Sequence, residues 1–149
     1  MKADRIEATT TVCPCGGAAP GRAPTAKAPL FAQCCGRYLS GAAHAPNALE
    51  LMRSRYTAYV LGDTAYLRAT WETATCPRDL DVDPSAPDAP NWLGLQIKRH
   101  EVLDAAHECV EFVARFKQGG RGHRLHELSR FARSDDGRWR YVDGDVSER

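Results

Sequence analysis

Cys13-Pro14-Cys15 and Cys34-Cys35 place four thiols in two close pairs near the start of a 149-residue chain. Two such pairs can supply the thiolates of one tetrahedral zinc site. Both pairs are tighter than the usual spacer of about two to four residues, so spacing alone leaves two readings, a metal centre or four unrelated buried thiols. The surroundings favour the metal. Pro14 stiffens the first pair, and Gly16-Gly17 allow the backbone to turn its amides toward sulfur, the support that thiolate ligands need. Four cysteine ligands leave no open coordination position, which makes the ion structural rather than catalytic. His44 is a substitute ligand, set against the commoner exposed loop histidine. Cys76 and Cys109 lack partners in the sequence and read as ordinary buried or half-exposed thiols.

A second place for chemistry is the segment HRLHELSRFAR, residues 123–133. As a strand it puts Leu125, Glu127, Ser129 and Phe131 on one face. If that face is covered, Glu127 is a carboxylate among apolar side chains, where desolvation raises its pKa and makes it a candidate acid/base or ligand anchor. The other reading has Glu127 pairing with Arg53 or Arg55 and simply tying helix to sheet. Arg53, Arg55 and Ser129 are the residues that would orient a polar ligand beside Glu127. His100, His107, His123 and His126 share no metal spacing and read as solvated strand or loop histidines. No phosphate-binding glycine motif, nucleophile elbow or zinc-protease helix occurs.

These residues need elements to hold them. Gly16 to Pro29 is built from Gly, Pro, Ala, one Thr and two cations, which reads as a loop between the cysteine pairs. Asn47 and Glu50 have the form of a capping box, and Leu49, Met52, Tyr56, Tyr59 and Val60 recur at helical spacing, predicting an amphipathic helix. Gly62 suits its C-cap and Asp63 the next N-cap, so a short helix carries Tyr66, Leu67, Thr70 and Trp71 back against the first. The proline- and aspartate-rich stretch 76–90 is irregular and long enough to cover a cavity. Strands follow at about Trp92–Val102, Cys109–Lys117, His123–Arg133 and Arg138–Asp143. Gly119-Gly120 and Asp136-Gly137 are hairpin signals, so the strands pair antiparallel in sequence order. Val110, Phe112, Ala114 and Phe116 share one face, and Trp139, Tyr141 and Asp143 alternate likewise. Helices followed by a meander predict an α+β fold, a curved antiparallel sheet with the helical hairpin on its concave face.

Composition limits the partners. A hydrophobic content of 43% over 149 residues allows one domain with a real core and a small appendage. Lys+Arg 20 against Asp+Glu 19 removes the simplest argument for nucleic acid or an acidic membrane. Residues 1–41 carry three surplus positive charges, and a zinc ion with four thiolates would cancel two of them, leaving too little for a phosphate footprint. MKADRIEATTTV has no apolar run resembling a signal peptide and no segment approaches a membrane span. A cytoplasmic protein is the expectation, where six cysteines stay reduced and argue for metal or buried thiols.

The motifs CPCG, CCGRYLSG, LMRSRYTAYV, YLRATW, WLGL, FVARF, ELSRF and WRYVDG together resemble the YchJ-like bacterial proteins across nearly the whole chain. The resemblance implies a nuclear-transport-factor-2-like cone, related to the cystatin sheet, over residues 42–149. It also implies, over residues 1–41, a zinc motif similar to that at the C-terminus of the translocase motor SecA, with Cys13, Cys15, Cys34 and Cys35 as ligands. The spacer from Gly16 to Phe31 is longer than the motif usually has. Many relatives end in a second copy of the motif, and a function requiring two such knuckles is not inferred from this sequence. Two functions are consistent with these parts. In the first, the zinc knuckle, on a flexible leash, docks a protein partner, as the similar SecA motif contacts a chaperone and ribosomes, while the cone is a scaffold or small-ligand holder. In the second, the cone is an enzyme or small-molecule receptor built on Glu127, with the 76–90 loop as lid. Homodimerisation through the sheet is an expectation by fold analogy alone.

Overall fold

The computed structural model describes residues 11–23 and 26–148. The stretch MKADRIEATT, with the first part of the signal-peptide reading, lies outside the described residues. The loop between the cysteine pairs is closed at its base by an antiparallel bridge between Val12 and Leu30. Cys13 N donates to Pro29 O and Phe31 N to Thr11 O, each at 2.8 Å. A single 3₁₀ turn over Phe31–Gln33 then leads into the one-turn helix α1 (Gly36–Leu39).

The helical hairpin forms as its caps dictate. In α2 (Ala48–Leu61) the Asn47 side chain accepts from the Glu50 amide at 2.9 Å. The box is only half made, because the Glu50 carboxylate turns away to Tyr38 and Arg37. Gly62 closes α2 at φ 79°, and a Cβ there would stand 2.6 Å from Pro84 Cδ, so both conformation and space ask for glycine. Asp63 caps α3 (Thr64–Ala69), accepting from Tyr66 N at 3.0 Å. Thr70 and Trp71 lie just past its end, and Trp71 bridges in parallel to Tyr141.

The amphipathic reading of α2 needs correcting. Ala48, Leu51, Met52, Ser54, Arg55, Tyr56, Thr57 and Ala58 are all buried, which leaves no broad polar face. One side of the helix packs on the sheet and the other on the cysteine segment, so no single apolar stripe is required. The flexible leash also fails: the four cysteines belong to the same buried cluster as Leu51, Tyr56, Phe112 and Phe131.

Four antiparallel strands run in the order β1 (Asn91–Asp104), β2 (His107–Gln118), β3 (Arg121–Arg133) and β4 (Trp139–Glu148). Gly119-Gly120 and Asp136-Gly137 sit in hairpin turns as read. The turn between β1 and β2 carries no such signal; Asp104 supplies it by accepting from Ala106 N at 2.8 Å. Val110, Phe112, Ala114 and Phe116 face the helices, as do Glu127, Ser129 and Phe131 opposite them. Asp143 does not share the face of Trp139 and Tyr141. A β-bulge sets Phe131 opposite Tyr141 but Arg130 opposite Asp143, so one residue is inserted and the parity inverts. Arg130 then holds Asp143 at 2.6 Å on the outer face, and Gly144 takes the inner position beside Ser129. The fold is α+β, helices packed on a curved four-stranded sheet. No helix among the described residues is long and apolar enough to cross a membrane.

Candidate functional site

The close Cys13-X-Cys15 turn, the Val12–Leu30 bridge and the tight turn into α1 bring the four sulfurs together. Their ligand atoms lie within 4.8 Å of one another, and each cysteine is at most 4% exposed. Cys15 Sγ and Cys34 Sγ are 3.5 Å apart, and all four cysteines are free. A tetrahedral zinc with Zn–S bonds of about 2.3 Å separates its sulfurs by roughly 3.8 Å, so the donor set matches the ion in chemistry and spread. The amide of Gly17 donates to Cys15 Sγ at 3.3 Å, the N–H···S support that the Gly16-Gly17 pair was read to allow. Hydrogen bonds from Cys15 and its neighbours pull the Cys13 thiol far down, while Cys15 and Cys35, bonded first to Cys13, are pushed up. A divalent cation bound here would take the four sulfurs as thiolates and release their protons. His44 lies on an exposed loop outside the cluster. Cys76 and Cys109 are half-buried and unpaired, as read.

This centre is welded to α2. Cys13 Sγ is 3.7 Å from Thr57 Oγ1, Arg53 Nη1 donates to Ala18 O at 3.1 Å, and Tyr38 OH donates to Glu50. Arg53 therefore faces the cysteine segment, away from Glu127. Sequence reasoning missed Thr57 and Glu50 as anchors, because their partners, Cys13 for Thr57 and Tyr38 and Arg37 for Glu50, lie in the cysteine segment outside α2.

The cone interior holds a second polar group. Arg55, Glu127 and Ser129 do come together, with Tyr141 as a fourth member. Glu127, 8% exposed, accepts from Ser129 Oγ at 2.8 Å and Tyr141 OH at 2.6 Å. Arg55, 4% exposed, donates through Nη1 to Leu67 O at 2.9 Å and Thr70 Oγ1 at 2.7 Å. Its guanidinium carbon sits 4.8 Å from the ring centroids of both Trp71 and Tyr141. Burial lowers the Arg55 pKa, and the charges of its neighbours, Glu127 among them, oppose that shift. Burial and then the Glu127 hydrogen bond hold the Tyr141 phenol protonated well above its ordinary range. Among the described residues no salt bridge joins Glu127 to Arg53 or Arg55, so the carboxylate is satisfied by two hydroxyl donors instead. The tie to the sheet is made by a different residue. Glu108, buried in line with Val110 and Phe112, accepts from Ala48 N at 2.9 Å at the start of α2 and lies 2.7 Å from His100 Nε2. Its place was readable from the strand alternation and was overlooked.

Gly144 makes room for Glu127. A Cβ built there would stand 2.1 Å from Glu127 Oε2 and 2.7 Å from Cδ. Gly144→Ala is expected to expel the carboxylate from its two hydroxyls and cost about 1–3 kcal/mol, the scale of an unsatisfied buried polar group or an overpacked core. In a Glu127→Ala background the same substitution should cost much less. Urea unfolding of the four proteins in the cycle checks this, and additive losses would refute the contact.

Fold and site define a class: a nuclear-transport-factor-2-like α+β cone carrying an N-terminal four-cysteine segment able to hold a metal. A family model described as the middle NTF2-like domain of YchJ matches residues 47–144. A UPF0225 protein of Ralstonia nicotianae is 52% identical over 147 residues, 94% of each chain. Another from Polaromonas naphthalenivorans is 52% identical over 139 residues, 91% of this chain and 98% of its own. The solution structure of a SEC-C motif containing protein from Rhodopseudomonas palustris superposes with a TM-score of 0.72 at 30% identity, covering 91% of this chain and 98% of that one. A crystal structure of a SEC-C motif containing protein from Psychrobacter arcticus gives 0.72 at 29%, covering 95% and 86%. The chain belongs to the YchJ-like, UPF0225 family.

Proposed function

We propose that this chain is a zinc-containing binding or adaptor protein of a reducing compartment, whose cysteine knuckle docks a protein partner on a rigid cone. The observation that carries the reading is the buried quartet of sulfurs fixed to α2: it can close a structural metal site and present the surrounding surface in one orientation. That surface includes Val12, 54% exposed, bridged to Leu30 and near the half-buried Phe31. SEC-C motif names on the structural neighbours support the metal. Four thiolate donors with no oxygen ligand exclude hard ions such as calcium and magnesium, and the likeness to SEC-C motif proteins supports zinc among the thiophilic ones.

Native mass spectrometry of the protein purified without added metal tests the first half, with one zinc per chain as the expected mass. An apo mass unmoved by added zinc overturns it. For docking, Val12→Asp leaves the sulfurs in place and should release partners that the parent chain captures. If neither Val12→Asp nor a double Cys34→Ala, Cys35→Ala variant changes what is captured, the docking half is lost.

A second reading, an enzyme or receptor acting through the cone, is favoured by one observation: Glu127 holds two hydroxyl donors and, among the described residues, no ion-pair partner. Glu127 is buried under Ser129 and Tyr141 and does not line the cavity at Tyr59 and Trp92, which places this reading second.

A further inference from the structure

The Asp- and Pro-rich segment read as a cavity cover does line a cavity, at the sheet end where β1 begins and β2 ends. The space, of ≈ 520 Å³, is bounded by Tyr59 of α2, Trp92 of β1, Gln118 of β2 and the segment from Asp81 to Pro90. Its walls are held in place by contacts rather than by chance. Val82 N donates to Thr64 Oγ1 at 2.9 Å, Gln118 Nε2 donates to Asp88 O at 2.7 Å, and Pro84 packs on the Gly62 cap. Trp92 is fixed from behind by Phe116, with ring centroids 5.1 Å apart, and by Tyr56 at 5.9 Å. The Tyr59 and Trp92 rings stand 6.3 Å apart at 52°, a tilted pair of aromatic walls.

The charge of the lining selects the ligand. Asp81, Asp83 and Asp88 line the cavity, and no Lys, Arg or His does. Among the described residues none of these carboxylates has a salt-bridge partner. Two electron-rich rings with carboxylates around them are the complement of a positive group that is poorly hydrated, held by ring faces and by charge together. A metal ion would not use the rings, and an anion would be repelled. We propose that this cavity binds an alkylammonium group through Trp92 and Tyr59, with Asp81, Asp83 and Asp88 supplying the opposite charge. The group can arrive on a small quaternary amine or on a methylated lysine side chain of another protein, either of which is less hydrated than a bare ammonium. The site is separate from the cysteine centre and does not depend on the docking reading.

The test uses the full chain and two probes of the same shape, choline and its neutral isostere 3,3-dimethylbutanol, followed by the indole NMR signal assigned to Trp92. Choline should shift that signal saturably, and the neutral isostere should bind at least about tenfold more weakly. An Asp81→Asn, Asp83→Asn, Asp88→Asn variant, whose changes are exposed and leave the rings untouched, should lose about tenfold in choline affinity and gain salt insensitivity. Trp92→Leu, which lacks that indole and is followed by calorimetry instead, should abolish choline binding, with the melting temperature reported alongside. A trimethyllysine peptide that binds more tightly than choline assigns the site to a protein partner; the reverse assigns it to a free amine. Equal binding of choline and its isostere, or unchanged binding in the asparagine variant, overturns the proposal.

Discussion

Removing metal from the four cysteines, or replacing Cys15 with Ser, is expected to lower stability by about 5 kcal/mol or more, given how much of a small module's folding free energy structural zinc supplies. For a chain of this length that is a fall in melting temperature of more than about 10 °C. The reason for so large an effect is position. Cys15 and Cys35 are each 1% exposed and lie in the core cluster with Leu51 and Tyr56, so losing the ion leaves buried thiols that must be reprotonated or hydrated. Loss should therefore spread from the knuckle into α2 through Thr57, Arg53 and Glu50, flattening near-ultraviolet dichroism of the whole chain. Cys76→Ser, at a half-buried thiol outside the cluster, should stay within about 0.5 kcal/mol. Thermal melts with chelator, then with zinc restored, check this. A chelated protein that melts where the untreated one does would mean that the sulfurs hold no structural ion.

The next largest effect is expected at Arg55. Arg55→Ala deletes a buried guanidinium that stacks on Trp71 and Tyr141 and donates to Leu67 O and Thr70 Oγ1. It also removes a positive charge that acts on Glu127 across the core without an ion pair, so the carboxylate keeps its two hydroxyls but loses part of its compensation. A loss of about 3–5 kcal/mol follows from breaking a buried charge arrangement on one side. Arg55→Met keeps most of the volume but not the charge, and should recover only the packing share. Combining Arg55→Met with Glu127→Gln removes both charges and should recover more than the sum of the single changes predicts. Chemical denaturation of the single and double variants measures the coupling. Strict additivity would mean that the two charges do not sense each other and that Arg55 is only a packing element.

Both effects rest on residues whose types were legible at once and whose neighbours were not. The cysteine pairs, the Asn47 and Asp63 caps, Gly62 and the two glycine hairpins are local signals, set by backbone conformation and side-chain hydrogen bonds over a few residues. They placed the helical hairpin and the order of the strands. Strand alternation put Glu127 and Ser129 on one face with Leu125 and Phe131, and the packing of the helices decided that this face is the covered one. The bulge beside Tyr141 did not, because an inserted residue leaves no mark in composition, and it carried Asp143 to the outer face and Gly144 under the Glu127 carboxylate. The short turn at Ala105-Ala106 was missed for a similar reason, since its geometry is supplied by the Asp104 side chain and not by a glycine.

What the sequence determined by itself is therefore the inventory: four thiols fit for one metal, two capped helices, the strands of a meander and an acidic residue sharing a strand face with Leu125 and Phe131. Tertiary structure alone decided who meets whom. It seated the cysteine segment on α2, turned Arg53 toward that segment and Arg55 toward Tyr141, gave Glu127 two hydroxyls in place of an ion pair, and set Trp92 and Tyr59 beside the aspartates of the 81–90 segment. The physical reason is separation along the chain. Caps and turns are fixed by neighbours a few residues apart, whereas most of these pairings join different elements across the chain and form only when burying the shared core outweighs the entropy of bringing them together.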